Sequence, residues 1–204
     1  MRVLIIGGGI GGLTLALMLH ARGIRPRIVE AAAEIRPLGV GINVQPSAVA
    51  ELAMLGLLDR LDAIGVRTAA VGYYNRHGQH IWTEPRGVDA GYAVPQFSIH
   101  RGRLQMMLFD AVRERLGDDA IACGIEALSA QPEDGRVRLR RRADGSEFVE
   151  RYELVVGADG IHSAIRRQFH PDEGPPCFSG RILWRATSYD RPWLGGRTMV
   201  IAGH

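Results

Sequence analysis

The sequence predicts an α/β fold, and three observations near its start carry that prediction. Val3-Leu4-Ile5-Ile6 is a short apolar run ending in glycines, which suits a strand buried on both faces of a parallel sheet. Ile10 to Arg22 carries Leu13, Leu15, Leu17 and Leu19 with Ala16 and Met18 between them. It reads as a helix buried on most sides and stopped by Gly23. Arg27-Ile28-Val29-Glu30 is a second strand, so residues 1–30 spell strand, tight turn, helix, strand.

Further along, Gly39 to Gln45 reads as a glycine-punctuated loop, and Ser47 as the cap of a helix running through Leu55 to Gly56. Residues 69–74 and 79–83 read as strands around the hairpin turn Asn75-Arg76-His77-Gly78. Ala93 to Ile99 is extended. Arg101 to Leu116 has helical periodicity, with Leu104, Met107, Leu108, Ala111, Val112 and Leu116 on one stripe. Strands follow near 120–130, 136–141 and 147–156, separated by the turns Glu133-Asp134-Gly135 and Ala143-Asp144-Gly145. Gly157-Ala158-Asp159-Gly160 opens a short helix over Ile161 to Phe169, and Pro171 to Pro176 is a linker. From Arg181 the chain alternates again and finishes in a strand, Thr198 to Ile201.

Composition is that of an ordinary globular chain: 204 residues, 46% hydrophobic and 23% charged, enough for one or two domains. No apolar run approaches the roughly 18–20 residues of a membrane span, and no secretory signal precedes Val3. A cytoplasmic protein without membrane or nucleic-acid partners is expected. All basic residues are arginine, because the sequence holds no lysine. That excludes lysine Schiff-base chemistry and a phosphate-binding lysine loop. The basic run Arg136–Arg142 alternates with Val137 and Leu139, as in a strand with one solvated face. Cys123 and Cys177 lie far apart, and no histidine has zinc-ligand spacing, so no metal site is expected.

Gly7-Gly8-Gly9-Ile10-Gly11-Gly12 matches G-x-G-x-x-G at the junction of the first strand and helix. Gly7 permits the tight turn, Gly9 lets backbone approach a pyrophosphate, and Gly12 lets helix and strand pack closely. The helix N-terminus favours negative charge. Glu30, at the end of the second strand, is placed to accept ribose hydroxyls of an adenosine. These features do not separate NAD from FAD.

Arg101-x-x-Leu104 and the run Gly157-Ala158-Asp159-Gly160-Ile161-His162-Ser163-Ala164-Ile165-Arg166 resemble the group A flavoprotein hydroxylases, the FAD-dependent aromatic-ring monooxygenases. Glu34–Asn43, Trp82–Val88 and Ser98–Gly102 resemble a narrower branch, the phenazine-modifying hydroxylases of pyocyanin formation. The resemblance spans essentially the whole chain. It implies a glutathione-reductase-like FAD/NAD(P)-binding fold with part of an antiparallel substrate-domain sheet. The FAD-binding domain would take residues 1–70 and 99–176, and the partial substrate domain 71–98 and 177–204.

The same resemblance implies FAD as cofactor, NAD(P)H as co-substrate, O2, and a small aromatic or heteroaromatic acid as the molecule hydroxylated. It leaves a homodimer open. Gly7, Gly9, Gly12 and Glu30 would hold the ADP half of FAD, with Ile10 and Gly11 presenting backbone N–H groups to the phosphates. Arg101 would reach the pyrophosphate or ribityl region, and Arg103 would point elsewhere. Val40, Gly41 and Ile42 would lie near the ribityl–isoalloxazine side, Ile125 against adenine, and Asp159 with Gly160 at the flavin chain. Plain alternatives stay open: Arg101 as a helix-start ion-pairing residue, Asp159-Gly160 as a turn and cap, and Ile125 as core. No catalytic side chain is assigned, because in this family the flavin performs the reaction.

A further family motif, a Gly-Asp segment, has no counterpart here. The chain is therefore expected to be an N-terminal fragment, inactive alone, whose adenosine site is local to the first thirty residues. The rival readings are an NAD-dependent dehydrogenase and a non-enzymatic remnant binding at most the ADP part of FAD. The dehydrogenase would need the βαβ pattern to continue after Glu30.

Overall fold

The computed structural model describes residues 1–188 and 190–203. In chain order the elements are β1 (Val3–Ile6), α1 (Ile10–His20), β2 (Arg27–Glu30), β3 (Gly41–Val44), α2 (Pro46–Met54), α3 (Leu58–Ile64), β4 (Gly65–Thr68), β5 (Ala70–Asn75), β6 (His80–Pro85), β7 (Gln96–His100), α4 (Arg101–Leu116), β8 (Ile121–Cys123), β9 (Ile125–Gln131), β10 (Arg136–Arg141), β11 (Glu147–Arg151), β12 (Leu154–Gly157), α5 (Ala164–Phe169) and β13 (Thr198–Gly203). They form two compact units, Met1–Pro37 with Gln105–Leu183, and Leu38–Leu104 with Trp184–His204.

The first unit is built on a parallel sheet of order β12-β1-β2-β8. Every residue of β1 is buried, as a strand flanked on both edges and covered on both faces requires. Helix α1 buries Gly12, Leu13, Ala16 and Leu17. Beside this sheet stands an antiparallel meander, β11-β10-β9. In β10 the arginines Arg136 and Arg138 are exposed while Val137 and Leu139 are fully buried, so the basic run is a solvated strand face. Leu4, Ile6 and Val29 of the parallel sheet share one core with Ala127, Val137, Leu139 and Tyr152 of the meander. Helix α5 is held to β9 by Gln168. Its side-chain amide donates to the Ala130 carbonyl at 2.6 Å and accepts the Ala130 N–H at 2.9 Å.

The second unit contains an antiparallel sheet of order β3-β7-β4 and a mixed sheet of order β13-β5-β6. The β5–β6 hairpin is antiparallel and β13 adds to β5 in parallel. Its turn is set by Asn75, whose Oδ1 accepts the N–H groups of His77 and Gln79 at 2.9 and 3.0 Å.

The α/β architecture is the expected one, and several local expectations are corrected. The supposed loop at 39–45 contains β3, which exists because Gly41–Val44 pairs with Val44's partner Phe97 through His100. Helix α2 begins at Pro46 with Gln45 as N-cap and no side-chain cap, so Ser47 does not cap it. Proline's fixed φ is already helical at the first position. Residues 147–156 break into β11 and β12. Helix α5 starts at Ala164 rather than Ile161, because Ser163 Oγ accepts the Arg166 N–H at 2.8 Å and so defines the helix start. Before β13, residues 181–193 form no regular strand among those described. The compact units divide at Pro37/Leu38, Leu104/Gln105 and Leu183/Trp184, whereas the domain boundaries expected from the resemblance fall at 70/71, 98/99 and 176/177. Strand pairing explains the difference: β3 and β4 both pair with β7, which draws residues 38–70 into the second unit. His204 lies outside the described residues. No described helix is long and apolar enough to cross a membrane.

Candidate functional site

In the first unit, the carboxyl ends of β1, β2 and β12 open into a cavity of about 420 Å³. This is where ligands sit in parallel α/β sheets. Its floor and walls come from Ile6, Gly7 and Gly9, from Val29, Glu30 and Ala31, from Ile125, Glu126 and Ala127 on β9, from Arg142, and from Ala158, Asp159, Gly160, His162 and Ala164 after β12. Gly7, Gly9, Glu30, Ile125, Asp159 and Gly160 are thus brought together. Ile10, Gly11 and Gly12 form the adjoining first turn of α1. The site is not confined to the first thirty residues, since β9 and the β12–α5 turn supply half its walls.

The glycine turn has a distinct physical reason at each position. Gly7 takes φ +113°, and a Cβ there would stand 2.3 Å from the Ala158 carbonyl oxygen, so the turn after β1 touches the turn after β12. A Cβ on Gly12 would stand 2.0 Å from the Gly7 carbonyl oxygen. By contrast, Cβ atoms on Gly9 or Gly11 would meet nothing within 4 Å. The start of α1 is therefore open, and its first turn carries no acidic side chain. An eleven-residue helix with open N-terminal amides and no acidic residue in its own first turn is a fitting seat for a pyrophosphate.

Glu30 has a role beyond the expected one. Its Oε2 accepts the Gly8 N–H at 2.7 Å and its Oε1 the Ala32 N–H at 2.8 Å. Each carboxylate oxygen keeps a further lone pair, so ribose hydroxyls remain acceptable partners. Cys123 lies beside Glu30 in the β2–β8 register. Burial, and then the charge of Glu30, push its thiol above the usual range, which keeps it protonated.

Asp159 Oδ2 accepts the Ala164 N–H at 2.9 Å, so it serves the start of α5 while lining the cavity. Arg166 closes the same turn, donating to the carbonyls of Gly160 and Ile161 at 3.1 and 2.6 Å and pairing with Glu173 at 2.7 Å. On the opposite wall Glu126 accepts from Arg140 at 2.8 Å and from Arg142 at 3.3 Å. These two donors hold its carboxyl below the ordinary range despite some burial.

Val40, Gly41 and Arg101 belong to the second unit, where they form a cluster of their own. The Arg101 N–H donates to the Val40 carbonyl at 2.9 Å, and Gly41 pairs with His100. Gly39 has φ +118°, and a Cβ there would lie 3.4 Å from the Arg101 Cβ. Sequence reasoning missed Gln105, whose Nε2 donates to the Gly8 carbonyl at 3.1 Å, and the Glu126–Arg142 pair. The sole signal for Gln105 is a polar residue following Leu104 on an otherwise apolar helix face. Among the described residues no cluster suited to a metal ion is present.

Comparison with known proteins bears on this geometry. Residues 1–177 match the FAD binding domain family. The chain is 46% identical over 204 residues to the phenazine 1,6-dicarboxylic acid hydroxylase of Lysobacter antibioticus, covering 98% of this chain and 50% of that protein. Among solved structures it resembles 2-methyl-3-hydroxypyridine-5-carboxylic acid oxygenase, with a TM-score of 0.70 and 30% identity over 82% of this chain and 42% of the other. It also resembles a Klebsiella pneumoniae HpxO variant complexed with FAD, with a TM-score of 0.68 and 27% identity over 82% of this chain and 42% of the other. The chain spans about half the length of the proteins it matches.

Proposed function

Because the chain belongs to the group A FAD-dependent aromatic hydroxylases, we propose that it binds FAD through the cavity at the end of β1 and serves a monooxygenase that hydroxylates an aromatic or heteroaromatic acid. The observation that carries this reading is the open helix start at Gly9 and Gly11 beside Glu30, in a cavity of small-ligand size. Two of the similar proteins are named for heteroaromatic carboxylic acids, a phenazine and a pyridine, which supports that substrate class.

In this reading the amides of Gly9, Ile10 and Gly11 receive the pyrophosphate, with Gly7 and Gly12 making room for the turn. Glu30 accepts ribose hydroxyls, and Ile125 packs against adenine. Asp159 and Gly160 line the way toward the flavin chain, and the family resemblance assigns Arg101, Val40 and Gly41 to the ribityl side of FAD. Once bound and reduced by NAD(P)H, FAD supplies the oxygen chemistry, and the protein orients substrate and excludes water. The setting is cytoplasmic.

Titration of the purified protein with FAD, followed by flavin fluorescence and with ADP as competitor, tests the reading. Saturable FAD binding displaced by ADP is expected. Absence of binding by either compound would overturn it.

A further inference from the structure

We propose that Gln105 is a positioning residue for the nucleotide: it sets the orientation of the Gly8–Gly9 peptide so that the Gly9 N–H faces the phosphates. The proposal rests on the reading of the cavity as a dinucleotide site.

Two consecutive peptide units of the glycine turn are each pinned by a side chain from a different element. The Gly7–Gly8 unit is held by its N–H, which donates to Glu30 of β2 at 2.7 Å. In a trans peptide the carbonyl points the opposite way. The Gly7 carbonyl oxygen accordingly lies under α1, 2.0 Å from where a Cβ on Gly12 would be. The Gly8–Gly9 unit is held from its other end, by its carbonyl, which accepts from Gln105 of α4 at 3.1 Å. The same trans geometry sends the Gly9 N–H away from α4. Gly9 lines the cavity, has nothing within 4 Å of its missing side chain, and donates to no acceptor among the described residues. An amide fixed in direction before the ligand arrives binds an anion without the cost of ordering it afterwards.

Without Gln105 the Gly8–Gly9 peptide, which joins two residues that have no side chain to restrain it, loses the side-chain hydrogen bond that sets its direction. Gly8 also accommodates the arrangement sterically, since a Cβ on it would clash with Ile35 Cδ1 at 2.8 Å and crowd Glu30. The role of Gln105 is thus directional, and it touches the nucleotide only through the backbone it holds.

The test is calorimetric titration of ADP and of adenosine into the unsubstituted protein and into the Gln105→Met and Gln105→Glu variants, with thermal melts alongside. Met keeps the length and volume but cannot donate, and Glu places an acceptor against the Gly8 carbonyl. ADP affinity is expected to fall about three- to tenfold in Gln105→Met, the worth of one hydrogen bond, and further in Gln105→Glu. Adenosine affinity is expected to stay unchanged in Gln105→Met, because adenosine brings no phosphate to Gly9. Equal ADP binding by Gln105→Met and the unsubstituted protein would overturn the inference. So would a parallel loss for ADP and adenosine, which marks general damage that the melts would also show. Failure of the unsubstituted protein to bind either ligand would overturn the reading of the cavity itself, and this inference with it.

Discussion

The carbonyl oxygen of Gly7 occupies the space where a side chain on Gly12 would begin, 2.0 Å from an ideal Cβ, while the same construction on Gly9 meets nothing within 4 Å. Two glycines three positions apart in one motif thus serve opposite ends, one packing and the other access. Gly12→Ala is expected to lower stability by about 1–3 kcal/mol through overpacking against backbone. Gly9→Ala, whose φ of −75° any residue adopts, is expected to fold normally and to lose FAD affinity. Chemical denaturation paired with FAD titration checks both. A destabilised Gly9→Ala or a fully stable Gly12→Ala would reverse the assignment.

Glu30 couples the turn to the ligand. Glu30→Ala removes the acceptor for the Gly8 and Ala32 N–H groups and the acceptor proposed for ribose, and FAD binding should weaken by roughly 1.5–3 kcal/mol. Glu30→Gln keeps an acceptor oxygen and should recover part of that loss. FAD retention on gel filtration with a following titration measures it, and undiminished retention in the alanine variant would remove Glu30 from the site.

Arg101 and Arg103 are two residues apart on α4 and both exposed, yet only Arg101 is tied to the Val40 segment. Arg101→Ala is expected to weaken FAD binding, and Arg103→Ala to leave it nearly unchanged. The opposite order, read by the same titration, would put the wrong face of the helix toward the cofactor.

A pH dependence follows from the cluster that joins β2 to β11. Arg27 Nη1 donates to Glu150 at 2.7 and 2.6 Å, and the Tyr152 hydroxyl donates to the same carboxylate. Burial alone would raise the Glu150 pKa, but donation from Tyr152 and Arg27 outweighs it and the carboxyl sits below its ordinary value. A depressed carboxylate contributes stability that is present above the unfolded value, about 4.3, and is lost as pH falls through the folded one. Melting temperatures of the protein and of Glu150→Gln should therefore differ most near about pH 6 and converge as the pH falls below about 4. A difference that stays constant to low pH would show that ionisation of Glu150 contributes nothing.

What the sequence disclosed and what it hid divide along the range of the interactions involved. β1, α1, β2 and α4 were legible, because burial on both faces of a strand, or along one stripe of a helix, leaves a local pattern. β3 was not, since Gly41-Ile42-Asn43-Val44 has no strand pattern of its own and becomes one only by pairing with Phe97–His100. The region of α3 and β4 carried no readable signal for the same reason: β4 is defined by its partner β7. At the site, the glycine spacing and Glu30 were visible as a motif. The bonds from Gly8 to Glu30 and Gln105 were not, because a backbone amide leaves no trace in the identity of its residue.

β1 pairs on one side with β2, which follows it after the single helix α1, and on the other with β12, in the register Val3↔Leu154 to Ile6↔Gly157. During synthesis, one edge of the most buried strand therefore waits for nearly the whole of its unit to leave the ribosome. Until then a run of four apolar residues presents unpaired backbone to any passing strand. The Ala158–Ala164 turn that closes the cavity is later still. The cavity therefore has no complete lining until that turn has emerged and packed. A nucleotide that uses this cavity can enter it only after β12 has joined β1, and has no part in guiding that step.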